Sequence, residues 1–480
     1  MKKTALSSGL AAFAALFLCA AASAQIGSPY IHDPSTVVEC DGKYYTFGTG
    51  SGGLISEDGW SWHSGGVRPG GGVAPDAIKI GDRYLVVYAA SDRSNNLRYH
   101  SRVYAMWNKT LDPTSPDFKY TDPVDIGGSN GYEDCDGIDP GLMMGPDGRL
   151  WLVYGTYFGY LRVVELSPET AEPVGKPVDV ALSCEAGEMM YNDGWYYLLA
   201  THGTCCSGVN STYEIIVGRS KSPTGPYVDN VGRDMIHGGG KLVLASEPRR
   251  IGAGHFSRFI VSEGVEKMSF HFEGDLDRSG RSVLAMRPLL WKNGWPVAGE
   301  PFRNGEYSVV SERRGYALEL AVNNVPMAGG MRGFSRNGDD TVVALEDQKL
   351  ADVIGTWPEG GIGVRIGPEL FRPHQAWEIT EVPELGGYIG GAYCKITIAG
   401  TDRALAATAD REVTTVPAFT GAPEQLWRID RLTDGTYRIM PKFVPGTGEE
   451  LVLVSVADST PSLGVFDPDS DNSKWNLVRH

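Results

Sequence analysis

Asp147-Gly-Arg-Leu-Trp-Leu-Val-Tyr154 is a tight turn that opens directly into an apolar strand. The same phrase returns at Asp41-Gly-Lys-Tyr-Tyr-Thr-Phe47, at Gly81-Asp-Arg-Tyr-Leu-Val-Val-Tyr88 and at Asp193-Gly-Trp-Tyr-Tyr-Leu-Leu199. A weaker fifth version runs from His255 through Met268-Ser-Phe-His-Phe272. Gly and Asp supply the turn, while aromatic and β-branched residues favour the strand that follows. Units of this kind spaced roughly 40–70 residues apart signal a propeller or a solenoid. Residues 25–300 carry almost no helical periodicity, only short aromatic-rich runs separated by Gly, Asp, Asn and Pro. Four-stranded antiparallel blades around an axis account for this pattern better than a sandwich does.

The register of the repeat places chemistry. Counting back 11 residues from Tyr44, Leu150 and Tyr196, the first strand residues after three of the turns, reaches Asp33, Asp139 and Glu185. The same count from Tyr84 reaches Val73, with Asp76 slightly beyond, and the fifth unit's counterpart begins at His255. The innermost strands of a propeller surround its axis, so equivalent positions on them converge at one end of the channel. Acids brought together there repel one another, and burial raises the cost. Glycoside hydrolysis needs such an arrangement, with one carboxyl protonated to donate to the leaving oxygen and another ionised to activate water. Keeping a Glu protonated near neutral pH means raising its pKa by roughly two units, or about 2.7 kcal/mol, and a neighbouring Asp is the obvious means. Taken singly, each acid reads first as a turn or capping residue, and it is the shared register of the three that points to chemistry. The cluster as a whole also suits calcium.

Composition sets the compartment and limits the partners. Lys2 and Lys3 precede an apolar stretch from Leu10 to Ala21 and then Ala22-Ser23-Ala24, the order of a secretory signal over residues 1–24 with cleavage before Gln25. The run is shorter than the roughly 18 apolar residues a membrane span requires, so no membrane insertion is expected after cleavage. Leu18 is bulkier than the small residue that precedes a lipidated cysteine, so Cys19 is not read as an anchor. The chain is predicted to be secreted or periplasmic. Its 480 residues imply two or three domains, and the formal charge of −16 excludes nucleic acid and anionic membranes as partners while suiting a neutral polysaccharide or oligosaccharide. Six cysteines survive cleavage, at positions 40, 135, 184, 205, 206 and 394. They show no CxxC pair, so a zinc cage is not expected, and the sequence does not fix any disulfide pairing.

Ile31-His-Asp-Pro-Ser35, Gly137-Ile-Asp-Pro140, Cys184-Glu-Ala186 and Gly252-Ala-Gly-His255 resemble, in order and spacing, the marker segments of glycoside hydrolase family 43. Cys205-Cys-Ser-Gly-Val-Asn-Ser-Thr-Tyr213, Val217 to Tyr227 and Leu290-Trp-Lys-Asn-Gly-Trp-Pro296 are similar to its arabinanases. The resemblance covers about residues 28–297 and implies a five-bladed propeller and an inverting mechanism acting on α-L-arabinofuranosidic linkages. It implies Asp33 as general base, Glu185 as general acid and Asp139 as the group that tunes and orients the acid. It also implies His255 as ligand of a hydrated structural calcium in the channel, with no organic cofactor. His271 is a second candidate ligand, and His32 reads as orienting Asp33. Two positions depart from the family. Val73-Ala-Pro-Asp76 stands where the family has an aromatic residue that packs on a sugar, and Glu185-Ala-Gly187 replaces Glu-Ala-Pro, which is expected to loosen the backbone beside the acid. A β-xylosidase, a galactan-active hydrolase and a sugar-binding propeller without catalysis remain alternatives.

Beyond residue 300 three segments end alike, at Gln375-Ala-Trp377, Gln425-Leu-Trp427 and Ser473-Lys-Trp475. This threefold repeat resembles ricin-type β-trefoil modules, whose tryptophan serves the core and which commonly bind sugars. The predicted architecture is all-β: a catalytic five-bladed β-propeller over 25–300 and a β-trefoil-like accessory domain over 301–480. Asp467-Pro-Asp-Ser-Asp-Asn472 mimics a calcium loop, but Val478 stands where such loops need Glu, so it reads as a solvated turn.

Overall fold

The computed structural model describes residues 25–480 apart from 69, 92–99, 129–136, 157–158, 249, 279, 323–353, 355–356 and 458. The signal segment and Cys135 therefore lie outside the described residues.

Each turn-and-strand phrase forms the second strand of an antiparallel blade. The five blades begin with the innermost strands Val38–Cys40, Val73–Ile80, Gly141–Met144, Glu185–Asn192 and Ile251–Ser262. Their second strands are Lys43–Phe47, Arg83–Ser91, Leu150–Gly155, Trp195–His202 and Val265–Asp275. Alternation along these strands sends apolar side chains to both faces, where they meet the neighbouring blade. One apolar cluster accordingly sits at each contact. Tyr45 and Phe47 of the first blade meet Tyr84 and Val86 of the second, and Leu85 and Val87 meet Leu150 and Leu152 of the third. Trp151 and Val153 then meet Met189 and Leu198, and Leu199 and Val217 meet Phe256 and Phe270. Truncating one of these buried side chains to Ala costs about 2–5 kcal/mol.

The last contact closes the ring. Ile26–Gly27 pairs in parallel with Ser61–Trp62 on the first blade, while Tyr30 bridges Val283 on the fifth. The Ile31 N–H donates to the Ser282 carbonyl at 3.2 Å, and the Leu284 N–H to the Pro29 carbonyl at 2.8 Å. Gly27 lies at φ +84°, and a Cβ there would sit 2.3 Å from the Trp62 carbonyl oxygen, so the clasp needs glycine.

The propeller ends with Trp295–Ala298, and the first strand of the C-terminal ten-stranded sheet is Gly305–Ser311. Trp377, Trp427 and Trp475 are fully buried, and their indole N–H groups donate to the carbonyls of Leu318, Leu405 and Leu453 at 2.8, 3.0 and 2.8 Å. The repeated tryptophans are therefore core residues of this C-terminal unit and offer no surface to a sugar. Asp467 accepts the Asp469 N–H at 3.0 Å, a local turn as expected. The two units share an interface. Ile389 completes the cluster between the first and fifth blades, and Lys267 of the fifth blade reaches Asp430 at 3.3 Å.

Candidate active site

A backbone feature recurs in or shortly before the innermost strand of every blade. Asp33, Ala74, Asp139, Ala186 and His255 all adopt left-handed φ, between 45° and 59°. For non-glycine residues this costs roughly 1–2 kcal/mol each, and such strain gathers at functional sites. Register shifts in the second, fourth and fifth blades mark bulges at the same place. The fixed count of 11 residues is thus one residue out of phase in the second and fourth blades. Val73 and Glu185 precede the left-handed residue, whereas Asp33, Asp139 and His255 occupy it.

The strain is held from the preceding blade. The Asp33 N–H donates to His271 Nδ1 at 3.1 Å, the Ala74 N–H to Thr49 Oγ1 at 3.0 Å, the Ala186 N–H to Asp139 Oδ2 at 3.1 Å and the His255 N–H to Thr201 Oγ1 at 2.9 Å. Thr49, Thr201 and His271 each stand six residues past the residue that opens their second strand, Lys43, Trp195 and Val265. This second register was present in the sequence but unread. Asp76 completes the set. Its carboxylate is buried and accepts the Thr36 N–H at 2.9 Å and the Leu142 N–H at 2.8 Å, tying the first, second and third blades together.

The three predicted acids meet at this ring. Thr49 Oγ1 donates to the Asp33 carboxylate at 2.5 Å, and His255 Nδ1, His32 Nε2 and His271 Nδ1 lie 3.4, 3.5 and 3.7 Å from its oxygens. Burial alone would raise its pKa, but the hydrogen bond and charge of His255, helped by His271 and His32, hold it far below the usual carboxylate range. Asp139 is pushed the other way, to about 8. Burial dominates, and the Asp33 and Glu185 carboxylates add to it against the opposing pull of His255. Glu185 accepts from the buried Tyr213 hydroxyl on Oε1 and from Thr156 Oγ1 at 3.5 Å on Oε2. Tyr213 was not singled out, although it closes the Ser-Thr-Tyr segment already noted.

The histidines divide their work. His255 is buried against Asp33. Desolvation lowers its pKa, yet Asp33, Asp139 and Asp76 together raise it above the ordinary value. His271 is fully buried and depressed to about 3, so it stays neutral and its Nδ1 accepts the Asp33 N–H. His32 donates to or accepts from Ser282 Oγ at 2.9 Å and faces Asp33 through its other nitrogen. Beside it lies a disulfide between the adjacent Cys205 and Cys206, with Cys206 Sγ 3.6 Å from His32 Nε2. The buried Glu273 carboxylate holds this loop by accepting the Cys206 N–H at 2.8 Å and the Ser211 hydroxyl at 2.9 Å. Cys40, Cys184 and Cys394 are buried free thiols.

Of the two departures, Val73 is 37% exposed and leaves its position without an aromatic face. Gly187 does not loosen the site. It is buried, and a Cβ there would meet Val153 Cγ2 at 2.8 Å, so the glycine lets the fourth blade pack closely on the third.

This arrangement accords with the chain's relatives. Residues 46–296 match the family model described as glycosyl hydrolases family 43. The extracellular exo-α-(1→5)-L-arabinofuranosidase ArbA of Cellvibrio japonicus is 30% identical over 319 residues, covering 59% of this chain and 90% of that protein. The extracellular endo-α-(1→5)-L-arabinanase 1 of Bacillus subtilis is 34% identical over 174 residues, covering 35% of this chain and 51% of its own length. Among solved structures, an exo-1,5-α-L-arabinanase from a bovine ruminal metagenomic library is 32% identical, with a TM-score of 0.52, covering 56% of this chain and 97% of that one. A propeller of five blades, acids gathered at its axis and a family match across more than half the chain lead to one assignment: the chain belongs to glycosyl hydrolases family 43 and is a glycoside hydrolase.

Proposed function

We propose that this protein is a secreted, inverting hydrolase of α-L-arabinofuranosidic linkages, acting on α-1,5-arabinan or arabino-oligosaccharides. The observation that carries the reading is Asp139, whose carboxyl feels the charges of both Asp33 and Glu185 while accepting the N–H next to Glu185. Asp33, ionised and held by Thr49 and His255, takes a proton from the attacking water. The water oxygen bonds to the anomeric carbon as the glycosidic C–O bond breaks, and Glu185 gives its proton to the leaving oxygen. Asp139, pushed up to about 8, carries a proton near neutral pH, so the pair holds one proton beside the leaving oxygen when the sugar arrives. Tyr213 and Thr156 fix the orientation of Glu185.

His255 is proposed to hold a hydrated calcium in the channel. The three aspartates that raise its pKa would favour any positive charge there, whether a proton or a metal ion. An imidazole and one carboxylate make an oxygen-poor set, so water would complete the shell. When bound, the ion would supply positive charge beside the acids. Secretion is supported by the relatives named extracellular, and among the described residues no helix is long and apolar enough to cross a membrane. The exposed Val73 keeps one alternative open, a family member whose preferred sugar differs, such as a xylan- or galactan-derived substrate. A panel of debranched arabinan, xylan and galactan tests this, with NMR following the anomer first released. Arabinan cleavage giving initially the β-anomer is expected. Product from xylan or galactan alone, or initial α-anomer, would refute the proposal.

A further inference from the structure

A cavity of about 420 Å³ opens at the seam where the first and fifth blades are clasped together. That volume falls within the range of small-molecule sites, roughly 300–1,000 Å³. Its inner end is formed by His32 and Thr49, the side chains that flank the Asp33 carboxylate, so the cavity continues the site already described. Its outer end carries Tyr30 and Arg281, with the guanidinium carbon 3.6 Å from the centre of the Tyr30 ring. Between them the floor is bare backbone, because Gly52, Gly53, Gly65 and Gly66 replace side chains on the facing strands. At Gly66 a Cβ would lie 2.9 Å from the Gly53 carbonyl carbon, so the close strand approach requires glycine.

The lining chemistry is that of a neutral sugar site. An aromatic ring and a flat guanidinium offer an apolar face with donors at its edge, and Thr49, Ser64 and Ser282 add hydroxyls. Among the described residues no carboxylate lines it, although the chain carries a formal charge of −16 and its acid cluster lies next door. The described lining therefore offers a cation no counter-charge. We propose that it is a remote glycan subsite, holding an arabinose unit of the same neutral chain one or more residues away from the bond being cleaved. This rests on the reading of the protein as an arabinan hydrolase and extends it. Tyr30 and Arg281 become determinants of preference for longer chains, taking over stacking that Val73 does not provide.

The test compares α-1,5-arabinobiose with arabinohexaose in wild type, Tyr30→Ala, Tyr30→Phe and Arg281→Ala. Tyr30→Ala and Arg281→Ala are expected to lower kcat/KM for the hexaose by about five- to tenfold through KM, leaving the biose unchanged. Tyr30→Phe should behave as wild type. Equal losses on both lengths, or none on either, would overturn the subsite. Calorimetry with arabinohexaose and the Glu185→Gln protein reads the same site without turnover. Binding to the Glu185→Gln protein that weakens when Arg281→Ala is added, together with a wild type that hydrolyses nothing, would sink the hydrolase reading and leave the subsite standing. Binding indifferent to both Tyr30→Ala and Arg281→Ala would sink the subsite alone.

Discussion

Asp139 and Asp430 are both buried aspartates, and their surroundings drive them in opposite directions. Asp139 sits at the propeller axis between two other carboxylates and is pushed up to about 8. Asp430, at the interface between the units, meets Arg428 at 2.6 Å, Arg438 at 2.7 Å and Lys267 at 3.3 Å. Burial again favours the neutral acid, but those cations win and hold it well below the usual range. The difference teaches that burial alone assigns no role. A buried acid whose charge is answered joins two surfaces, whereas one left facing like charges stores unfavourable energy that a reaction can use. The sign of the pH dependence differs accordingly. Asp430 contributes stability above the unfolded carboxylate pKa of about 3.9 and loses it as pH falls. Asp139 becomes increasingly costly as pH rises from about 4 through 8.

The comparison is open to attack at several points. The largest effect is expected from Glu185→Gln, which should lower kcat by about 10³–10⁴ while circular dichroism and melting temperature stay near wild type. Activity within tenfold of wild type would remove Glu185 from the role of acid. Asp430→Ala should do the reverse, costing about 3–5 kcal/mol in denaturant unfolding because Lys267, Arg428 and Arg438 lose their counter-charge, with turnover per folded molecule retained. A smaller change is expected from Asp139→Asn in thermal melts. The variant should gain stability over wild type at pH 8 and gain less at pH 5, and a uniform loss at both would show that the carboxylate is satisfied after all. Least affected should be a protein whose Cys205–Cys206 bridge is removed by Cys205→Ser together with Cys206→Ser. Freed from its neighbour, His32 should hold Asp33 less firmly, lowering kcat/KM by a few fold, whereas an unchanged value would make the bridge a bystander.

The repeated turn phrase made the propeller legible because its strands are defined by local chemistry, Gly-Asp turns and aromatic runs at a steady interval. Asp33, Asp139 and Glu185 were legible for the same reason, since they stand at one place in that interval. A shift of phase hid the rest. In the second and fourth blades the left-handed residue lies 10 residues, not 11, before Tyr84 and Tyr196, so Glu185 stands one step off the position that Asp33 and Asp139 occupy, and no composition signal announces that shift. Thr49, Thr201 and His271 form a second register, but two threonines and a histidine share no side-chain chemistry until their backbone partners are seen. Asp430 was invisible because its partner Lys267 lies 163 residues away on another unit. For Trp377, Trp427 and Trp475 the sequence left core and sugar-binding readings in balance, and burial decided it.

The central claim is that burial, with the like charges of Asp33 and Glu185 added to it, keeps a proton on the Asp139–Glu185 pair near neutral pH. The pH dependence of kcat/KM in wild type and Asp139→Asn tests it most directly. The alkaline limb should fall near pH 8 in wild type and move to lower pH by a unit or more in the variant, where Glu185 no longer faces a second carboxylate. An alkaline limb at the same pH in both proteins would contradict it.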